Sequence, residues 1–422
     1  MRYLLLTALL VCGCYYASPT GTQVYKSSPP IPSIVRIKPG ANVQDELLTA
    51  LIKAKPGTII ELAEGTYEFT GSLSLMASGV TIRGAGMEKT ILSFKKQDQG
   101  KEGLKIENAN DLLIENLTVQ DTKGDAIKVQ NGTNVTFKKV RTTWSEGPKE
   151  SNGGYGLYPV TCTNVLVEEC DAQCASDAGI YVGQSRNVIV RKCKASRNVA
   201  GIEIENCTNA EVTECLATDN SGGILVFDMP NLPAKNGKMV RVYKNITESN
   251  NHDNFAPKGN IVATVPPGTG LMVLAMDQVE LFDNQIKNNQ TSGLCIISFQ
   301  LTQKEITDKE YDPYPEGIYV HDNVFTDNGK HPSGELGLLL GSGGKALPDI
   351  LYDGNVDPRK MVNGKTPDNL SIKLSNNGKA TFINLHYDGS NLLKFATSNP
   401  KFETSTAAYE GKLPSLPPVE LK

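Results

Sequence analysis

The sequence predicts an all-β solenoid, a parallel β-helix, closed at its start by a helix and at its end by an irregular cap. Three observations predict it: a strand pattern that recurs every 22 to 30 residues, a column of small-then-apolar residues beside it, and an amphipathic helical stretch ahead of the first repeat.

A repeat is sought first, because overlooking one misreads the whole architecture. Aligned on an Asn followed by alternating residues, five copies stand out: Asn110 to Asn116, Asn134 to Val140, Asn164 to Cys170, Asn187 to Cys193 and Asn209 to Cys215. Their anchors lie 24, 30, 23 and 22 residues apart, and weaker copies begin near Met239, Gln278 and Gly317. Each copy reads as a short strand with an inward residue at its end. The second column runs through Gly124 to Val129, Tyr155 to Pro159, Asp177 to Val182, Val199 to Ile204 and Ser221 to Val226, and continues from Thr269 and Ser292. Period-two alternation puts Ile127, Leu157, Ile180, Ile202, Ile224, Leu271 and Leu294 on one face. Units this short cannot bury a face alone; stacked at ~4.8 Å per turn they share one continuous core.

The ends follow from the same logic. Asn42 to Lys53 sets Leu47, Leu48, Leu51 and Ile52 at helical spacing. A helix there covers the first open strand edge, which otherwise invites pairing with another chain. The repeat fades after about Gly337, so the solenoid is expected over 34–344 and a C-terminal cap over 345–422. Ahead of it, Arg2 and the apolar run Tyr3 to Val11 read as a cleaved export signal, 1–13, too short to span a bilayer. Val11-Cys12-Gly13-Cys14 resembles a lipoprotein signal, which implies lipidation at Cys14 (palmitate among the acyl chains) and a flexible Ser/Pro-rich tether over 14–33. Any membrane attachment would then be by lipid alone, on a bacterial outer-membrane or periplasm-facing surface; without lipidation the protein is expected to be secreted. A net charge of −4 leaves no electrostatic footprint for nucleic acid.

Cys170, Cys193 and Cys215 hold one repeat position on successive turns and are expected as an internal ladder of free thiols. Cys162 and Cys207 share another position, with Ser185 between them, ~9.6 Å apart and too far to bridge. Cys174 and Cys295 complete the body's set.

The stretch 56–330 resembles the right-handed parallel β-helix superfamily of carbohydrate-binding and sugar-cleaving proteins, with "KPGTIIELAEGTYEF" as its characteristic opening. The segment from Ala175 to Cys207 is similar to a narrower group of bacterial β-helix lipoproteins. The resemblance implies a right-handed coil and a polysaccharide partner.

The second column's outward residues, Lys128, Tyr158, Tyr181 and Glu203, fall on consecutive turns, with Glu205 two residues beyond. Four rungs span ~14 Å, room for a few sugar units. Tyrosines stack on sugar rings, while Lys and Glu bind or exchange protons with hydroxyls and carboxylates. Four insertions could wall a cleft: Thr143 to Gly153 with Trp144, Asp228 to Lys238, Asn250 to Pro267, and Gln300 to Glu316 with Tyr311 and Tyr314. Tyr155-Gly156-Leu157-Tyr158-Pro159-Val160 resembles the catalytic strand of mannuronan C5-epimerases, Tyr-Gly-Phe-Asp-Pro-His, with Tyr158 in place of the Asp and Val160 in place of the His. That chemistry removes a proton alpha to a uronate carboxylate and needs a base, an acid and a cation. The resemblance implies Tyr155 as acid or base and Lys128 as the cation or the base. Glu203 and Glu205 are the carboxylates a hydrolase would need, but they sit on one side of a bound sugar.

The expected function is therefore a cell-envelope lipoprotein that binds or processes a polysaccharide, as a lyase or epimerase on a uronate-containing glycan if it is catalytic. Lys128, Tyr155 and Tyr158 are the catalytic candidates, and Tyr181, Glu203, Glu205 and Trp144 the substrate-binding ones. The competing class is a non-catalytic assembly module for an envelope protein, docking through an exposed apolar patch at Leu225, Phe227 and Met272. An accessory role in metal-centre maturation finds no ligand cluster in the sequence. No cofactor is evident; scattered turn Asp and Asn residues could bind Ca2+, without an EF-hand loop or a calcium nonapeptide repeat.

Overall fold

In each coil the chain lays down three short strands and turns between them, so that every strand pairs in parallel with its equivalent one coil away. The computed structural model describes residues 33–334, 337, 340, 345–398 and 400–421. The expected export signal, Cys14 and the tether up to residue 32 lie outside the described residues.

The result is a right-handed parallel β-helix with three faces. The first and second faces form one 20-stranded sheet, because the long strands Leu112–Gln120 and Thr133–Thr143 bend from one into the other. The third face is a separate 11-stranded sheet. Its inward register is one unbroken ladder, Leu104–Ile127–Leu157–Ile180–Ile202–Ile224–Leu271–Leu294–Ile350–Phe382. The predicted column is thus the spine of the core, and its members are buried. Left-handed residues turn the corners: Asn187, Lys192 and Arg197 in one coil, Asn209, Glu214 and Asp219 in the next. Asn and Asp tolerate that region best among L-residues, whereas Lys192, Arg197 and Glu214 adopt it without that advantage.

Outside the first face, charge alternates along the axis: Arg36, Glu61, Arg83, Glu115, Lys138, Glu168 and Arg191 hold one position on successive coils. Arg83 meets Glu115 at 2.6 Å, and Glu168 takes both Lys138 at 2.9 Å and Arg191 at 2.6 Å. Like charges stacked at this spacing would repel; alternation removes that cost, although each exposed pair contributes only about 0.2–1 kcal/mol.

The cap helix forms as Val43–Lys53 and buries Val43, Leu47, Ala50 and Leu51. Gln44 pins it to the first coil by accepting from the Thr70 and Gly71 amides at 2.8 and 3.1 Å. All seven body cysteines are buried free thiols, and the ladder exists: the Cys170 amide points at Cys193 Sγ (3.4 Å) and that of Cys193 at Cys215 Sγ (3.5 Å).

Two expectations need correction. The first repeat is offset by one residue, since Asn134 stacks on Asp111 (2.7 Å) and Val135 pairs with Leu112. Asn110 instead accepts from the Thr133 amide. The stacking also passes residue 344: Ile350–Tyr352 and Phe382–Asn384 extend the third face, and Lys373–Ser375 extends the first. Long insertions between these strands hide the period.

Candidate functional site

The outward residues of the third face change character along the axis. Ser74, Lys105, Lys128 and Tyr158 stand on successive coils, then Tyr181, Glu203, Leu225, Met272, Cys295 and Leu351. The apolar half is not exposed. Val262, Val265, Phe299, Leu301 and Tyr311, from two of the insertions, form a second core with Leu225, Phe227, Met272 and Leu274. Leu225, Phe227 and Met272 retain 0, 0 and 3% exposure, so the expected docking patch does not exist: the insertions lie down on the sheet.

Where this covered half meets the open half, three tyrosines touch. The Tyr155 ring lies 4.4 Å from Tyr158 and 4.5 Å from Tyr181, and Tyr158 lies 5.0 Å from Tyr181, edge to face. Lys128 Nζ stands 5.0 Å from the Tyr158 ring centroid, within cation–π range. Tyr181 is buried and its hydroxyl donates to Glu205 Oε1 at 2.6 Å. Asp125 Oδ1 accepts from the Tyr155 amide at 3.2 Å, and Asp177 Oδ2 accepts from Asn260 Nδ2 at 3.0 Å. Glu203 is buried, and its Oε2 has no hydrogen-bond partner. A Cβ on Gly154 would lie 3.6 Å from Asp125 Oδ1 and 3.8 Å from Asp177 Cβ, so the missing side chain leaves a gap flanked by the two aspartates.

Burial sets the electrostatics. It pushes Asp125 up to about 6, against the pull of the Tyr155 amide and of Lys128. It pushes Asp177 to about 7, helped by the Glu205 carboxylate, and raises Glu203 well above the carboxylate range. Glu205 is raised as well, with the Tyr181 hydroxyl opposing. Asp228, behind Glu205, reaches about 7 by the same cause. The tyrosines move further from ionisation: Tyr158 rises to about 12, and Tyr155 goes well above its ordinary value through burial and the charges of Asp177, Glu203 and Glu205. Groups poised near neutrality are suited to proton transfer.

Several predicted roles change accordingly. Tyr155 sits among carboxyls rather than beside a cation, which favours its protonated form over a phenolate; Lys128 lies over Tyr158 instead. Glu203 and Tyr181 are interior groups behind the rim, not a floor for sugar. Trp144 is 5% exposed, belongs to the main core, and donates its indole N–H to the Thr122 carbonyl at 2.8 Å. It has no free face for a glycan. Tyr158, Lys128 and Glu205 remain half-buried at the rim. Sequence reasoning passed over Asp125, Gly154 and Asn260; the Asp at the corner before Ile127 was the available signal. The only carboxyl group of three within metal-binding reach among the described residues is Asp277, Asp312 and Glu316, and Lys360 Nζ already bonds Asp312 and Glu316 there.

Residues 102–251 match the family model described as the right-handed beta helix region. Among solved structures, the A-module of an Azotobacter vinelandii mannuronan C-5 epimerase is similar at 14% identity and a TM-score of 0.48, over 79% of this chain and 90% of that one. An alginate lyase from a Paenibacillus species is similar at 13% identity and 0.46, over 70 and 96%. A Thermotoga maritima exopolygalacturonase is similar at 11% and 0.45, over 77 and 87%. No curated protein matches the chain in sequence. At such identities no residue role passes from these proteins to this chain.

Proposed function

We propose that the chain binds a uronate-containing polysaccharide along Lys105, Lys128 and Tyr158 and eliminates or epimerises it at Asp125 and Tyr155. The carrying observation is the tyrosine cluster set between a lysine pair on one side and carboxyls poised near neutral pH on the other. Lys105 and Lys128 stand on neighbouring coils ~4.8 Å apart; Lys128 suits an acidic sugar directly, and Lys105, paired with Glu107 at 3.0 Å, would turn to it on binding. Tyr158, partly exposed beside Lys128, offers the adjoining ring an apolar edge. Asp125, half-buried and poised at about 6, is available as a base at neutral pH. It would take the proton alpha to the sugar carboxylate, with Lys128 offsetting the charge that develops. Tyr155, held protonated, would give its proton to the departing glycosidic oxygen in a lyase, or to the opposite face of the carbanion in an epimerase. The same proposal places the protein at a bacterial cell envelope, exported by residues 1–13 and anchored through lipid on Cys14. Among the described residues no helix is long and apolar enough to cross a membrane.

The test is incubation of the full chain with a panel of uronate and neutral polysaccharides, following absorbance of the unsaturated product and solvent exchange at C5. Signal on a uronate polymer, abolished in Asp125→Asn and Tyr155→Phe with binding retained, supports the assignment. Binding without product on any polymer reduces the site to recognition.

A further inference from the structure

On the outer surface of the first face, beside the alternating charge ladder, Glu211, Arg241 and Glu280 hold one position on three successive coils. Arg241 bonds Glu211 at 2.6 Å and lies 3.6 Å from Glu280. Its guanidinium covers the stacked rings of Tyr243 and Phe282, at 4.8 and 5.3 Å. The C-terminal segment crosses this surface. It leaves the last strand of that face at a parallel bridge between Leu374 and Glu410 and runs back toward the N-terminal end. The Leu416 amide donates to Glu280 Oε2 at 2.9 Å, and the Val419 amide donates to Glu211 Oε1 at 2.8 Å.

Three residues of the segment thus separate two amides that meet side chains rooted two coils apart. Two coils measure ~9.6 Å, and three residues of polyproline II advance ~9.3 Å. An α-helix would cover only ~4.5 Å. Side-chain burial separates polyproline II from a strand. Leu413, Leu416 and Val419 are the covered residues, and Pro414, Ser415, Pro417, Pro418 and Glu420 are exposed, a period of three rather than two. The prolines fall only where no amide is asked to donate, and the two donating amides meet carboxylates, which makes the stronger kind of hydrogen bond. The match lies between the solenoid's repeat and the helix pitch of the peptide.

We propose that the Glu211–Arg241–Glu280 surface is a recognition groove for extended proline-rich segments carrying an apolar residue at every third position. The chain's own tail is its resident occupant, and a segment of the same chemistry supplied in trans competes with it for the seat. Most residues of the tail face solvent, and two amide bonds fix its register. Being tethered, it nonetheless competes at high effective concentration. This reading is independent of the polysaccharide site, which lies on another face.

The experiment uses the full chain carrying Leu416→Asp and Val419→Asp, which expels the tail, and a fluorescent synthetic peptide of residues 410–421. Anisotropy is expected to show saturable binding to this variant and binding roughly tenfold or more weaker to the wild type, whose groove is filled. A peptide with one alanine inserted between Pro417 and Pro418 breaks the spacing and should lose roughly tenfold or more. Absence of saturable binding to a variant that still melts cooperatively overturns the proposal, as does equal binding of the inserted peptide. Should the double variant not fold, hydrogen exchange on the wild type decides. Slow exchange at Leu416 and Val419 against fast exchange at Ser415 and Glu420 supports the seating, and uniformly fast exchange overturns it.

Discussion

The side-chain amide of Asn260 donates to Asp177 Oδ2 at 3.0 Å across 83 residues of sequence. This contact joins the 250–267 insertion to the tyrosine–carboxyl cluster. Lys304 holds the same loop tip by donating to the Gly259 carbonyl at 3.1 Å. The insertion is thus part of the site: it shields Asp177 from water and returns one hydrogen bond to it. Shielding wins, since the carboxyl stands near 7 rather than near 4.

That balance makes stability depend on pH in a stated direction. Asp177 at about 7, Asp228 at about 7 and Asp125 at about 6 all lie above the ordinary value of 3.8. The fold prefers their protonated forms, so their contribution is complete below about pH 4 and is lost as pH rises through 6 to 7. Thermal melting should show Tm falling between pH 5 and 8. Asp177→Asn should flatten part of that slope and raise stability at pH 8 by on the order of a few kcal/mol. A Tm independent of pH over that window would contradict the burial argument.

Tyr181→Phe removes the hydroxyl that donates to Glu205 Oε1 and leaves a carboxyl oxygen without that partner. The expected loss is about 1–3 kcal/mol in urea unfolding at pH 7. Because the Tyr181 bond is what opposes burial at Glu205, its removal should push that carboxyl further up. In Tyr181→Phe/Glu205→Gln the two effects should therefore be non-additive.

The residues that could be read in advance are those whose physics is local. Ile127 to Leu294 form a stripe because period-two alternation and a corner of small residues need no knowledge of neighbours. The cysteine ladder follows from the same register, and the cap helix from its own spacing. What escaped depends on where insertions go. A sequence shows that residues 250–267 interrupt the repeat, but whether they rise from the sheet or lie on it depends on tertiary contacts. Val262, Val265, Phe299 and Leu301 were the available sign, being apolar residues in segments otherwise rich in turn formers. The same covering turned Tyr181 and Glu203 from expected surface groups into interior ones, and so set the charge states at the site. Trp144 misled for a related reason: an insertion that returns to the corner can fill the core.

Burial should also silence the thiols. It pushes Cys162 and Cys295 up to about 11 and Cys207 to about 12. The thiolate is the reactive form. The folded body should thus give almost no reaction with a thiol-specific disulfide reagent at pH 8, and all seven body thiols should react in guanidinium. A denatured count lower by two or more would mean bridges, contrary to the ladder.

The cysteine ladder does not end at Cys215; it changes chemistry. The Cys215 amide donates to Asn245 Oδ1 at 3.0 Å, and Asn245, Asn284, Asn323 and Asn377 carry the column on. A parallel column at another corner runs Asn198, Asn220, Asn250, Asn289 and Asn328, amide to amide at 2.9–3.1 Å. Asn250 shows what such a rung does. Its oxygen accepts from Asn220 Nδ2 at 2.9 Å, and its Nδ2 donates to the Ala217 carbonyl and to Asn289 Oδ1, each at 3.1 Å. Asn250→Ala strands groups on both neighbouring coils inside the core, where each unmet one costs about 1–3 kcal/mol. A loss on the order of 3 kcal/mol or more is expected in equilibrium unfolding. The exposed ladder supplies the control, for Asn164 Nδ2 donates to Asn134 Oδ1 at 2.9 Å in much the same geometry but in water's reach. Asn134 has φ 58, so Asn134→Gly keeps its left-handed backbone and removes only the side chain. It should cost about 0.5–1 kcal/mol. Equal losses at the two positions would show that burial is not what gives the inner column its weight.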